Sequence, residues 1–426
     1  MKNGTCAGGL RYAVRRRASA VAYCSLSIAC GTSDEGDFPE GIAHFTEHTI
    51  FRGTTRKSAE VISAYLDRLG GELNAYTTKE EIVIHATTLK EDLWKAVGLL
   101  FELATEPTFP ADEIETERSV VLDEIISYKD NPAEDIFDNF ECMLFEGDPL
   151  GRRILGTSAS VKKISADMLR RFVSEHFVPS NMALSIVADV DEAELEKRVL
   201  KLVDKRLGGE AFPAPRTKTF SPEKRSKKFC PTSLTETTSP GNAPFNKVID
   251  KHNHEVNAVI GATAPSLYEE PDRLVAAMLA NILGGPASNS LLNKELREKR
   301  GWVYGVECTY TQYRNTGIAA ISFGCDKPHL QNCLDAIERI LDKLRTEPLS
   351  ERSLRSYRKQ LMGQLAISSD NGEAQCLSMG KSILAWNRIA SNEEIRKTLE
   401  AVTPDDLLAM ARRIFAADRL SSLIYL

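Results

Sequence analysis

The sequence predicts an α+β protein of two homologous domains, each a mostly antiparallel sheet covered by helices, joined by a linker. Three observations carry this. The chain has 426 residues, more than one ordinary hydrophobic core organises, so two domains are expected. Residues 209–245 break the regular pattern with Pro213, Pro215 and Pro222, then a run rich in Thr, Ser, Pro and Gly from Thr232 to Pro244, as a linker does. The stretches on either side share landmarks in one register. Gly31 and Gly261 each end a strand and differ by 230, and Gly71 and Gly301, each leading into a strand, differ by the same amount. The domains are therefore expected at 1–208 and 246–426.

Taken in order, Tyr23 to Cys30 alternates as a β-strand does. The preceding Arg15-Arg16-Arg17 has the look of a secretory signal, but the alternation makes this segment part of a sheet, and no signal peptide is expected. Gly41 to Thr54 follows as a buried helix, with Ile42, Phe45, Ile50 and Phe51 on the faces its polar residues leave. Leu66 to Gly71 leads into a strand through Asn74-Ala75-Tyr76. Long amphipathic helices are expected at 90–105, 111–128, 165–176, 329–346, 350–367 and 403–416. In the second half, a strand from Val256 to Gly261 precedes a helix from Pro271 to Leu283, and a further strand runs through Val303-Tyr304. Each sheet is expected to be covered on one face.

Composition narrows the function. Hydrophobic residues at 42% and charged residues at 27% are those of a soluble globular protein. A net charge of -6 argues against nucleic-acid binding. No apolar run is long enough to span a membrane. The nine cysteines are odd in number and contain no C-x-x-C pair, so neither a disulfide framework nor a four-cysteine zinc site is expected. A reducing, cytoplasmic location fits them best.

The most informative segment is His44-Phe45-Thr46-Glu47-His48. Histidines four apart lie one turn apart on one helix face, so both imidazoles can reach one metal ion. Glu47 leans toward the same face as a candidate general base. This H-x-x-E-H order is that of an inverted zinc-peptidase helix. Catalytic zinc takes three protein ligands and an open position. The third is expected to be an acidic residue on another buried helix, and Glu115 to Ile126 offers Glu117 and Glu124, seven apart on one face among apolar neighbours. The 230-residue offset places His44, Glu47 and His48 on Leu274, Ala277 and Met278, so the second domain is expected to lack metal ligands.

The chain resembles the insulinase and mitochondrial-processing-peptidase family of zinc peptidases, in particular its shorter two-domain branch. The resemblance rests on Gly41 to Thr54, on Glu117 to Ile125, on Asn74-Ala75-Tyr76-Thr77 and on Leu296 to Tyr304, and it extends from near residue 10 to Leu407. It implies that His44, His48 and Glu124, which lies 76 residues after His48, bind Zn²⁺, with one ion per chain. It implies that Glu117 orients a ligand from behind. It also implies that Asn74 and Ala75 lie on an edge strand that takes up substrate backbone, and that Arg297 and Tyr304 contact the substrate and polarise its scissile carbonyl.

The resulting expectation is a zinc endopeptidase that cleaves peptides or unfolded segments in an enclosed chamber, with Glu47 as general base. It is expected to work as a homodimer, or as a heterodimer with a degenerate relative. Two rival readings are a catalytically silent member serving as a structural subunit and a zinc-binding protein that is not a peptidase. All four motif residues are present, and the cysteines do not cluster, which disfavours both. His85 is expected in a strand beside Asn74, and His252 and His254 are expected to alternate on a solvent-facing strand.

Overall fold

The computed structural model describes residues 1–207 and 243–426. The expected linker therefore lies outside the described residues except for 243–245. The described chain forms two compact units.

The strands are β1 (Lys2–Thr5), β2 (Arg11–Arg16), β3 (Val21–Ile28), β4 (Glu72–Thr77), β5 (Ile82–Leu89), β6 (Met182–Ala188), β7 (Asn246–Ile249), β8 (Glu255–Ala264), β9 (Val303–Gln312), β10 (Gly317–Asp326) and β11 (Ser421–Tyr425). The helices of the first half are α1 (Ile42–Thr49), α2 (Ala59–Asp67), α3 (Leu93–Thr105), α4 (Ala111–Lys129), α5 (Pro132–Leu144), α6 (Ser158–Val161), α7 (Ala166–His176) and α8 (Glu192–Leu207). Those of the second are α9 (Asp272–Gly284), α10 (Leu330–Thr346), α11 (Glu351–Ser369), α12 (Gly372–Trp386), α13 (Asn392–Ala401) and α14 (Pro404–Ile414).

The first sheet has the order β1-β2-β6-β3-β5-β4 and the second β7-β11-β8-β10-β9. Without β1 the two orders are the same. The strand senses repeat as well: β2 with β6, and β7 with β11, are the parallel pairs, and the rest are antiparallel. This repetition of order and sense is the structural form of a duplication. β4 and β9 are the matching outer strands.

Period-two alternation decides what each face buries. In β5, Ile82, Ile84 and Ala86 join Leu26 and Ile28 of β3 in a core that α3 covers with Val97, Leu100 and Phe101 and into which α1 sends Ile42 and Phe45. Neither sheet is covered on one face only, as had been expected. The opposite face of β2, β3 and β6 is closed by α12, where Cys376 and Met379 pack on Ala13 and Val187. This layer is tight because it is small and polar at its centre. Ser25 Oγ and Ser185 Oγ are 2.7 Å apart, and Ser185 Oγ donates to the Cys376 carbonyl at 2.8 Å. In the second unit α5 does the same on β8 and β11, with Ile136, Phe140 and Leu144 against Val259, Leu423 and Tyr425.

The compact units therefore do not follow the expected boundaries. The first comprises Met1–Ile125, the stretch from Arg152 through α8, and Ile367–Ala390; the second comprises Ile126–Gly151, the stretch from 243 to Ala366, and Ser391–Leu426. α5 and α12 have changed places because each follows a 19-residue helix, α4 or α11, that runs from one unit into the other. A further difference concerns His252 and His254, which lie in the turn before β8 and not on a strand, with His252 at φ 58°. Among the described residues, no helix is long and apolar enough to cross a membrane.

Candidate metal centre

α1 begins at a glycine and lacks a capping side chain of its own. Gly41 has φ 88°, and a Cβ there would stand 2.8 Å from the Leu155 carbonyl, so glycine is required. The unsatisfied amides of the first turn are met by Glu35, whose Oε1 accepts from Gly41 N at 2.9 Å and Ala43 N at 3.1 Å. Its carboxylate is fully buried, and Arg152 Nη1 lies 3.4 Å from the other oxygen. Burial pushes the Glu35 carboxyl up to about 8, against the pull of these donors.

One face of α1 presents His44 and His48, with ring centroids 4.6 Å apart. Glu124, from α4, points at both. Its Oε2 lies 3.7 Å from His44 Nε2 and 3.6 Å from His48 Nε2. That oxygen is buried and has no hydrogen-bond partner. A tetrahedral zinc ion with bonds of about 2.0–2.2 Å requires ligand atoms roughly 3.3–3.6 Å apart; the two distances from Glu124 are close to this and the three ligand atoms all lie within 4.8 Å of one another, so the donor set suits one ion. No other cluster of this kind occurs among the described residues.

The protonation states favour a cation. Burial, and then the neighbouring His48, push His44 down to about 3, which leaves it neutral with a free lone pair. His48 is drawn the other way. Burial opposes its charge, but the hydrogen bond to Glu117 and the nearby Glu47 and Glu124 outweigh burial and raise its pKa. A proton and a metal ion therefore compete for His48. Glu117 Oε2 lies 2.9 Å from His48 Nδ1. In the neutral ring, donation from Nδ1 to this carboxylate leaves the Nε2 lone pair free and facing Glu124. Glu117 is buried on α4, and Arg52 grips its second oxygen. Burial alone would raise the Glu117 carboxyl; His48 and Arg52 hold it below the usual range.

Glu47 stands beside the cluster but is not part of it. Its Oε2 accepts a hydrogen bond from Thr77 Oγ1 at 3.0 Å. Burial raises its pKa, and His48 and Thr77 partly offset this. Asn74 and Ala75 lie on β4, the outer strand. Ala75 packs toward the core beside α1, whereas Asn74 faces the other way opposite His85, with which it pairs across the ladder. Arg297 and Tyr304 belong to the second unit. Both are exposed, and the Tyr304 hydroxyl donates to Asp326 Oδ1 at 2.8 Å. The positions expected to match the motif, Leu274, Ala277 and Met278, are apolar residues of α9, with Met278 in its core.

The motif had not pointed to Glu35, Arg52 or the contact made by Thr77. For Glu35 a faint signal existed: a helix that starts on glycine needs its cap from elsewhere.

The fold and the site define an α+β protein of two repeated sheets with a candidate metal centre of two histidines and a carboxylate. Residues 11–158 match the insulinase family, peptidase family M16, and residues 163–361 match the peptidase M16 inactive domain. The chain belongs to the insulinase (M16) family, as a two-domain member. It is 27% identical to an uncharacterized zinc protease of Streptomyces coelicolor, over 97% of this chain and 87% of that protein. It is also 27% identical to an uncharacterized zinc protease of Bacillus subtilis, over 100% and 98%. Among solved structures, the fold matches a protease from Helicobacter pylori with a TM-score of 0.85 at 18% identity, covering 100% of this chain and 99% of that one. A peptidase M16 inactive domain from Pseudomonas fluorescens matches with a TM-score of 0.84 at 18% identity, over 100% and 97%.

Proposed function

We propose that this protein is a zinc-dependent endopeptidase acting on peptides or unfolded polypeptide segments within an enclosed chamber. The observation that carries the reading is the convergence of His44, His48 and Glu124 on one point, with Glu47 held next to them by a different partner. His44, His48 and Glu124 would hold the ion. When bound there, zinc supplies Lewis acidity, polarising a carbonyl and making water acidic enough for a carboxylate to deprotonate it.

The remaining work falls to the chain. Glu47 takes a proton from the attacking water and passes one to the leaving amine. Glu117, fixed by Arg52, accepts from His48 Nδ1, which keeps the ring oriented with Nε2 turned toward His44 and Glu124. The free edge of β4 around Asn74 and Ala75 adds the substrate as a further strand, which gives main-chain hydrogen bonds with little sequence preference. Arg297 and Tyr304, supplied by a second subunit, contact the substrate near its scissile carbonyl.

The test combines metal analysis with an internally quenched peptide. The wild-type protein should bind about one zinc per chain and cleave the peptide, with loss on chelation and recovery on adding zinc. Glu47→Gln should keep the metal and the fold and lose at least about 100-fold in rate. Cleavage by the Gln variant at a rate near wild type would reject Glu47 as the base.

A further inference from the structure

The contact between Thr77 and Glu47 joins two parts of the site that nothing in the motif connects. Thr77 is the last residue of β4, whose far edge is unpaired in the sheet order. Its hydroxyl makes the one hydrogen bond that the Glu47 carboxylate receives among the described residues. The backbone on both sides of Thr77 is pinned. Across the ladder it pairs with Ile82. Immediately after it, the Thr78 and Lys79 carbonyls accept from Thr32 N at 3.2 Å and Ser33 N at 2.8 Å, and Thr78 N donates to the Glu81 carbonyl at 2.8 Å. The side chain is β-branched, so χ1 is stiff. Strand alternation turns Thr77 to the same face as Ala75, the face on which α1 packs. The hydroxyl oxygen is held in place, and it donates to the candidate base.

We infer that Thr77 is a positioning residue for proton transfer. By holding Oε2 of Glu47, it fixes the plane of the carboxylate and leaves the other oxygen to meet the attacking water. The reach of this role extends to substrate. The strand that carries Thr77 is the one on which the peptide would add, so the hydroxyl references the base to the backbone being cut. A peptide in register on β4 is then in register with Glu47, and misplacing a catalytic group by as little as 1 Å costs about 100-fold. This inference rests on the peptidase reading above.

The experiment compares Thr77→Val, which keeps the shape and removes the hydroxyl, with Thr77→Ser, which restores it. Three quantities are read: zinc content, kcat and KM on the quenched peptide, and the ¹³C carboxyl resonance of Glu47 in the metal-free protein. Thr77→Val should retain zinc and KM, lose about 10- to 100-fold in kcat, and shift the Glu47 resonance. Thr77→Ser should recover most of the kcat and return the resonance toward wild type. A Thr77→Val variant with wild-type kcat and an unmoved resonance overturns the inference and leaves the peptidase reading standing. A rise in KM with kcat unchanged overturns it too, since the residue would then serve substrate binding. A wild-type protein that binds zinc and cleaves nothing defeats the peptidase reading, and with it the catalytic role of Thr77. An unmoved resonance in that case would also remove the contact itself.

Discussion

Glu117 and Glu124 stand two turns apart on one helix, yet their surroundings divide their work. Glu117 is held from two sides, by His48 and Arg52. Glu124 directs an unpartnered oxygen between two imidazoles. Glu124→Ala should therefore lower zinc stoichiometry, while Glu117→Ala should leave zinc bound and mainly slow turnover. Metal analysis of both variants decides this, and full zinc occupancy without Glu124 would reject the ligand assignment. Glu35 gives a pH-dependent prediction. Its carboxyl is raised from an ordinary 4.5 to about 8, so the folded state holds this proton more tightly than the unfolded chain across that window. Its stabilising contribution is complete below about pH 4.5 and is lost as pH rises toward 8. Glu35→Gln should remove that slope, which is at most about 1.4 kcal/mol per pH unit. Urea unfolding of both proteins from pH 5 to 8 measures the difference, and parallel curves would disprove the raised carboxyl. The two histidines were legible in the sequence because a spacing of four is a local property of a helix. Arg52 was not, because its partner Glu117 lies 65 residues on and only the fold brings them together.

Helices were the most readable elements. The expected 329–346 corresponds to α10, where amphipathic periodicity is written within the segment; 111–128 corresponds to α4, whose buried residues Ile114, Glu117, Val121 and Ile125 mark a narrow stripe that includes a carboxylate. Hidden from the sequence was the layer that α12 joins, because its contacts with Ser25 and Ser185 span nearly the whole chain and involve small residues with no hydrophobic signature. Two glycines, one outside that layer and one within it, test it. Gly363 in α11 has open space where a Cβ would go. Gly363→Ala should stabilise the protein by about 0.5–1 kcal/mol through helix propensity. At Gly380 in α12 a Cβ would come within 2.7 Å of Ser27 Oγ and 3.0 Å of Ser185 Oγ. There the same change should destabilise by about 1–3 kcal/mol, overpacking outweighing propensity. Thermal melts that rise for both variants would show the layer to be looser than described.

For the whole molecule, the proposed assembly is a homodimer in which Arg297 and Tyr304 of one subunit complete the zinc site of the other, with a heterodimer as the alternative. Mixing inactive Glu47→Gln subunits with inactive Arg297→Ala/Tyr304→Phe subunits should restore activity once subunits exchange. No recovery despite exchange, or full activity from a strict monomer, would defeat the arrangement. The traded helices α5 and α12 also impose a schedule on synthesis. All strands of the first sheet have been synthesised once Ala188 is added, but the helix that closes its second face ends at Trp386. At about 5–20 residues per second, that face waits roughly 10–40 s for its cover. During this interval Ala13, Val187 and Tyr23 lie open to any passing strand or chaperone, and protease pulses on stalled nascent chains would reveal it. A chain cut short within that interval has a complete sheet and no means of finishing it, so the arrival of α12 sets when the strands made before Ala188 become safe from aggregation.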